Sequence, residues 1–514
     1  MGRMDFATML KNERNNAKTL TENGAIAYET SGKHLLDFNF KLSQYRNMTV
    51  NQIKDDFAKV FFEDPLIATK FVFYIGDVRG GLGERKIFNA CIEWLADNKK
   101  DIALAILWAV PEYTRWDNLC KLATNKNVGH EVINIINDTL VNDFNNMHNN
   151  KPITLLAKWM PSINASSKET VELAKSICYR LRVTPRDYRK TLSALRKYLD
   201  IVEVKISANE WNDINYSAVP SQANLRYNSA FLRHDESRRR AFLESLRKGE
   251  TKINASVAQP HEIVRNYLAN NNYYWRTDIK KYDEALEQMW KSLPNIAVED
   301  SLVVRDGSGS MTCSCGSGKT SCLDVATALA IYCAEHNSDN WKDKFITFSS
   351  HPEFIDLSNC HTLRDKLVRC YAENDCSNTD IMATMRLILK TAIKNHCTQD
   401  EMPKNIIIVS DMQFDSGSRY HSFNWDKTLF EVISDEYKTH GYLLPKIIFW
   451  NVSARNFSTI PMQNNELGLI LCSGFSTTNM KMFMSGEVNP YKILLEQINT
   501  ERYKPIEESI KQLI

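Results

Sequence analysis

Leu302-Val-Val-Arg-Asp-Gly-Ser-Gly-Ser-Met311 is the stretch on which the reading of this chain turns. Its three apolar residues and Arg305 read as a short buried strand. The strand ends at Asp306, and Ser308 and Ser310 follow at alternate positions. One carboxylate and two hydroxyls are hard oxygen donors, which suit Mg²⁺ or Mn²⁺. Three donors do not fill an octahedron, so others must come from elsewhere in the chain. Asn378-Thr379-Asp380 opens an apolar helical segment, and Ile406-Ile-Ile-Val-Ser-Asp411 is a second buried strand ending in an aspartate. The competing reading is an ordinary strand followed by a capped helix, since Ser and Asp are common caps.

Asp306, Ser308 and Ser310, then Thr379, then Asp411, in that order, resemble the metal-ion-dependent adhesion site of von Willebrand factor A domains. The resemblance implies a Mg²⁺ (or Mn²⁺) ion held by those five residues. It also implies an acidic residue of a protein partner completing the metal shell. A rival lies just downstream, where Cys313-Ser-Cys-Gly-Ser-Gly-Lys-Thr320 ends like a phosphate-binding loop. That loop requires a glycine five residues before the glycine of Gly-Lys-Thr, for the tight turn that aims backbone N–H groups at phosphate. Cys313 stands there, so the segment reads instead as a glycine-rich insertion between the metal loop and the next helix. A nucleotide hydrolase using Lys319 and Asp411 is the weakest of the alternatives.

The 514 residues suggest two or three domains, and a net charge of +2 makes no global demand for nucleic acid. Apolar content of 43% and charged content of 25% are ordinary for a globular chain. No apolar run is long enough to span a membrane, and the N-terminus lacks a signal-peptide core, so a cytoplasmic location is expected. Gly2 is not read as a myristoylation site, because Phe6 stands where Ser or Thr is needed. Nine of the twelve cysteines fall between Cys313 and Cys472 and are expected to be reduced. Cys313, Cys315 and Cys322 lack the paired spacing of a zinc site.

Before the strand, residues 1–50 read as an arm with one or two short helices. Residues 51–296 show apolar spacing of three and four, broken at Pro111, Gly129, Pro152, Pro161 and Pro185, which predicts an α-helical repeat-like (HEAT-like) array. Thr184-Pro185 reads as the cap and first turn of a helix running to about Leu199. Residues 207–232 are mixed, and His234–Lys248 is a charged helix. From 297 to 488 the pattern alternates. Strands are predicted near 301–306, 344–349, 353–357, 405–411, 445–451 and 467–473, with helices between them. This is a mostly parallel α/β (Rossmann-like) domain, with ligands expected at the carboxyl ends of its strands. A last helix is predicted over 489–514. The fold class is therefore α plus α/β.

A long helical domain followed by an A-like domain resembles the Ro ribonucleoprotein (TROVE) family. The likeness is closer to an uncharacterised phage, bacterial and plant family of the same architecture. That family looks alike at Phe38–Met48, Asp77–Arg85, Arg182–Leu192 and Ala218–Asn224. The Ro likeness implies binding of small structured RNA and of single-stranded RNA ends, an expectation taken from fold alone. From Arg180 to Arg265 there are seventeen Lys and Arg against ten Asp and Glu. Arg186, Arg189, Lys190, Arg196 and Lys197 share one helix, and Arg238-Arg239-Arg240 form a second cluster. Tyr179, Tyr188, Tyr198 and Tyr227 are interleaved and could stack on bases. The alternative is a solvated face whose arginines pair with local acids. The glycines of Asp77–Arg85 could approach phosphate, but close packing of helices is the favoured reading.

No nucleophile elbow or His-Glu-x-x-His helix occurs. Two carboxylates are too few for a two-metal nuclease. The expectation is a non-enzymatic binding protein, with a protein-only scaffold or a component of a larger, phage-type assembly as the alternative.

Overall fold

The computed structural model describes residues 18–21, 26–269, 278–298, 300–316, 320–338, 340–348, 352–372, 380–414, 429–453, 455, 459–460, 469–483, 485, 487 and 489–514. The chain is α plus α/β: mostly helical, with a mixed sheet in its C-terminal half. It divides into two compact units. One is Met1–Thr49 with Ala258–Gln497; the other is Val50–Val257 with Ile498–Ile514.

In the first unit, β1 (Lys18–Leu20) and β2 (Ile26–Tyr28) form an antiparallel pair. The main sheet contains β3 (Ser301–Asp306), β4 (Lys344–Phe348), β5 (Phe354–Asp356), β6 (Asn405–Ser410), β7 (Lys446–Asn451) and β8 (Leu469–Ser473). Their order is β5-β4-β3-β6-β7-β8. All neighbours are parallel except β5, which runs antiparallel to β4 at the edge. Every residue of β3 and β8 is buried, as are all but the first of β6 and β7. That is why these strands read as continuous apolar runs and not as alternating ones. The helix Cys322–Glu335 is buried over nearly its whole length and packs on β3, β4 and β6. Only the short edge strand β5 alternates exposed and buried residues. All six predicted strands are present within about two residues of their expected ends.

The compact units and the described helices differ from the expected boundaries in three places. The N-terminal arm is part of the sheet unit. Leu35 to Phe40 are all buried, and helix His34–Phe40 packs against β8. Asn451 Nδ2 donates to Phe40 O at 2.8 Å, and the Ser43 amide donates to Ser473 Oγ at 3.1 Å. Likewise, helices Pro260–Tyr267 and Glu284–Lys291 belong with the sheet and not with the helical array. The first buries Ile263, Val264 and Tyr267 and packs on Cys322–Glu335. Glu287, from the second, accepts the amides of Leu363 and Arg364 at 2.9 and 3.1 Å. Finally, the single C-terminal helix is two, Pro490–Ile498 and Lys504–Ile510. The second packs on Pro65–Gly76 and Lys100–Ile106 of the helical unit.

In the helical unit, Val50–Glu63, Pro65–Gly76 and Arg85–Asn98 pack on one another. Asp64 caps the second of these by accepting from the Ile67 amide at 3.0 Å, with Pro65 in the first turn. Thr184 caps Pro185–Tyr198 in the same way, as the sequence predicts. The mixed segment contains a full helix, Ser221–His234, followed by Glu236–Arg247. Of the glycines around Asp77, Gly76 and Gly81 are close-packing residues, whereas Gly83 has a positive φ and a Cβ there would meet nothing closer than 3.9 Å. A Cβ on Gly81 would stand 2.0 Å from Tyr74 O, and one on Gly76 2.4 Å from the Phe88 ring. Buried Asp77 accepts from the Arg79 amide, the Arg502 guanidinium and the Tyr503 hydroxyl, and the amides of Gly81, Leu82, Gly83 and Glu84 donate to backbone carbonyls of Tyr74, Ile75 and Asp77, so these donors are committed within the chain. Among the described residues no helix is long and apolar enough to cross a membrane.

Candidate metal centre and basic face

Strand order reverses at β3: its chain successor β4 lies on one side and β6 on the other. Crossovers leaving in opposite directions open a crevice at the carboxyl ends of the two strands. Asp306 ends β3 and Asp411 follows β6 at that crevice. The parallel register, Arg305 beside Val409, brings Asp306 alongside Ser410 and Asp411. Asp306 Oδ2 accepts from Ser410 Oγ at 2.5 Å, and Oδ1 accepts from the Ser308 amide at 2.8 Å. Ser308 Oγ and Ser310 Oγ are 2.9 Å apart, the latter on the 3-10 turn Gly309–Thr312. Asp411 Oδ1 accepts from the Gln413 amide at 3.3 Å. Asp306, Ser308 and Asp411 are all buried.

Burial, and then the negative charge of Asp411, push the Asp306 carboxyl well above the usual carboxylate range; bonds from Ser410 and Ser308 pull it partly back. Two carboxylates crowded in a dry crevice are an arrangement that a bound cation relieves. The donors are carboxylate and hydroxyl oxygens, so the set fits Mg²⁺ or Mn²⁺ and not a soft metal. Among the described residues no three His, Cys, Asp or Glu gather into a ligand cluster. Cys313, Cys315 and Cys322 are not gathered into such a cluster.

Four of the five predicted ligands thus lie on adjoining loops. Thr379 lies outside the described residues. Its neighbour Asp380 caps helix Ile381–Lys394, accepting from the Ala383 amide at 2.9 Å. Ser410, which orients Asp306, was missed. The signal was its place immediately before the second strand-end aspartate. The phosphate-loop rival finds no support in the flanking backbone. Cys315 N donates to Thr320 O and Cys322 N to Cys313 O, so these amides are committed within the chain. Gly318 and Lys319 lie outside the described residues.

The predicted basic residues divide into two sets. Arg186, Arg189, Lys190 and Lys197 are exposed and form no ion pair among the described residues. Tyr179 on the preceding helix is 85% exposed, close in sequence to exposed Arg180 and Arg182. The other four do structural duty. Arg196 donates to Ala157 O, Met160 O and Ser162 Oγ at 2.8 to 2.9 Å. Arg238 bonds Trp211 O, Ile214 O and Asp235. Arg239 is fully buried among Tyr216, Phe231 and Phe242, with its guanidinium on Asn224 and Asn228. Arg240 pairs with Glu236 on the surface. Tyr188 is buried with its hydroxyl on Pro161 O, Tyr198 bonds Lys151 O, and Tyr227 packs against the cluster that holds Phe231. The signal for Arg239 is helical phase: it stands four and seven residues before Leu243 and Leu246, the other buried residues of Glu236–Arg247.

Arg196→Ala is expected to lower stability by about 1–3 kcal/mol, the cost of stranding partly buried acceptors. Chemical denaturation measures it; Arg240→Ala, which loses only a surface pair, is expected to stay within roughly 0.5 kcal/mol.

Two family models match the chain. The Domain of unknown function (DUF2828) matches residues 21–112 and 179–297, and the Domain of unknown function (DUF7788) matches residues 300–511. The chain is similar to both. The second match spans every strand of the main sheet and both strand-end aspartates. The first includes the exposed basic helix, and its end at 297 falls beyond the structural division after Val257. The "Uncharacterized protein L728" of Acanthamoeba polyphaga mimivirus is 29% identical over 530 residues, covering 95% of this chain and 88% of that protein.

Proposed function

We propose that this protein is a non-enzymatic binding protein with a von Willebrand factor A-like domain. In this reading Asp306, Ser308, Ser310 and Asp411, with Thr379, hold Mg²⁺ or Mn²⁺. The ion recruits an acidic residue of a protein partner. The carrying observation is the meeting of Asp306 with Ser410 and Asp411 at the point where strand order reverses. When bound, the cation supplies a Lewis-acid anchor for a carboxylate. The protein's own part is to hold the two buried acids and paired hydroxyls in place.

The helical unit, read as HEAT-like and Ro-like, binds RNA through the face of Pro185–Tyr198. Four exposed cations on one helix, with no ion pair among the described residues, and an 85% exposed tyrosine on the preceding helix favour this over a protein-only scaffold. Phosphate contacts supply the affinity, and Tyr179 offers a stacking surface to an unpaired base. Replacing Arg186, Arg189, Lys190 and Lys197 together by Ala is expected to weaken retention of single-stranded RNA at low salt. It should also flatten the salt dependence by roughly 0.7 in log–log slope per lost contact. Arg240→Ala should leave both unchanged. An electrophoretic shift series across salt concentrations checks this. Equal retention by the fourfold variant and the parent would sink the RNA reading.

A further inference from the structure

Just beyond the Ser308–Ser310 loop, two buried thiols face each other. Cys315 Sγ and Cys322 Sγ are 3.3 Å apart, at 6% and 1% exposure. Their backbones are held independently. Ser314 and Ser321 form an antiparallel bridge, Cys315 N donates to Thr320 O at 2.8 Å, and Cys322 N donates to Cys313 O at 3.0 Å. Asn47 grips the outer side, its Nδ2 donating to Ser314 O at 3.1 Å and its Oδ1 accepting from the Gly316 amide at 2.6 Å. Cys322 opens the buried helix Cys322–Glu335, whose start is locked by the reciprocal cap of Ser321 and Asp324. The same ladder reaches the metal loop, because the Cys313 amide donates to Ser310 O at 3.3 Å.

We propose that Cys315 and Cys322 form a reversible disulfide that braces the Ser308–Ser310 loop and tightens its hold on a divalent cation. The effect on the cation rests on the metal-site reading above; the brace itself does not. The oxidant is a low-molecular-mass disulfide such as oxidised glutathione. The Cys315 thiolate, the more exposed of the two, attacks one sulfur, and glutathione leaves as a thiolate that takes up a proton. The Cys322 thiolate then attacks Cys315 Sγ, breaking the mixed disulfide and releasing the second glutathione. Two protein thiols are oxidised by two electrons, and the small disulfide is reduced to two thiols.

The test uses the full chain equilibrated in glutathione buffers, alkylated, digested and read by mass spectrometry. A Cys315–Cys322 linked peptide is expected, absent in both Cys315→Ser and Cys322→Ser. Hydrogen exchange of residues 307–312 should slow on oxidation, and Mn²⁺ affinity by titration calorimetry should rise severalfold. No linked peptide in fully oxidised glutathione overturns the proposal, as does unchanged exchange at 307–312 or equal Mn²⁺ affinity in the two forms. Slowed exchange with Mn²⁺ bound by neither form supports the brace and defeats the metal reading alone.

Discussion

Asp306→Ala is expected to abolish measurable Mn²⁺ binding by the full chain. Asp306 is the shared element of the crevice: one oxygen faces the Ser308 amide and the other the Ser410 hydroxyl, with Asp411 close enough to perturb its protonation. Its loss removes a charged ligand and the fixed point around which the loop is arranged. The effect should therefore exceed the roughly 10–100-fold typical of outer partners. Ser410→Ala is expected to fall within that lower range, because Ser410 orients Asp306 through a hydrogen bond. Asp380→Ala is the control. It removes a helix cap, costing about 1 kcal/mol of stability, and should leave Mn²⁺ affinity unchanged. Electron paramagnetic resonance of free against bound Mn²⁺ reads all three. Parent-like binding by Asp306→Ala would leave the site without a basis.

Gly81→Ala should be among the most damaging single substitutions in the helical unit. Its Cβ would stand 2.0 Å from the carbonyl oxygen of Tyr74, which already accepts the Leu82 amide at 2.9 Å. That oxygen is backbone within helix Pro65–Gly76, so it cannot swing aside as a side chain could. The cost is expected to exceed about 3 kcal/mol, above the usual range for overpacking. Gly83→Ala differs in kind. Gly83 has φ +68° but its Cβ would meet nothing closer than 3.9 Å, so only the left-handed backbone is penalised, by about 1–2 kcal/mol. Urea denaturation of the two variants should rank them in that order; the reverse would show that conformation and not close approach sets these glycines.

Local chemistry made a good deal of this protein legible. Short apolar runs bounded by turn residues placed the parallel strands of the main sheet, because a strand buried on both faces needs unbroken apolar residues over a short length. Strand-end aspartates with hydroxyls at alternate positions marked the crevice, because parallel strands deliver their ends to one edge. Thr184-Pro185 marked a helix start for an equally local reason. What remained hidden depends on partners far away along the chain. Phe38–Met48 looked like an arm because several of its polar groups meet partners far along the chain: the Phe40 carbonyl on Asn451, the Ser43 amide on Ser473, and Asn47 on Ser314 and Gly316. Arg239 shares a helix face with Leu243 and Leu246, but that Tyr216, Phe231 and Phe242 enclose it is a matter of tertiary packing.

By itself, then, the sequence determined the strands of the main sheet, their alternation with helices and the hard-oxygen character of the two strand ends, since periodicity and side-chain chemistry are local properties; the pair Lys18–Leu20 and Ile26–Tyr28 was not among them. Only the tertiary structure decided where one unit stops and the other starts, which arginines are taken up by internal hydrogen bonds, and that Ser410 orients Asp306. Those outcomes depend on which buried polar groups find one another, and no local pattern records that pairing.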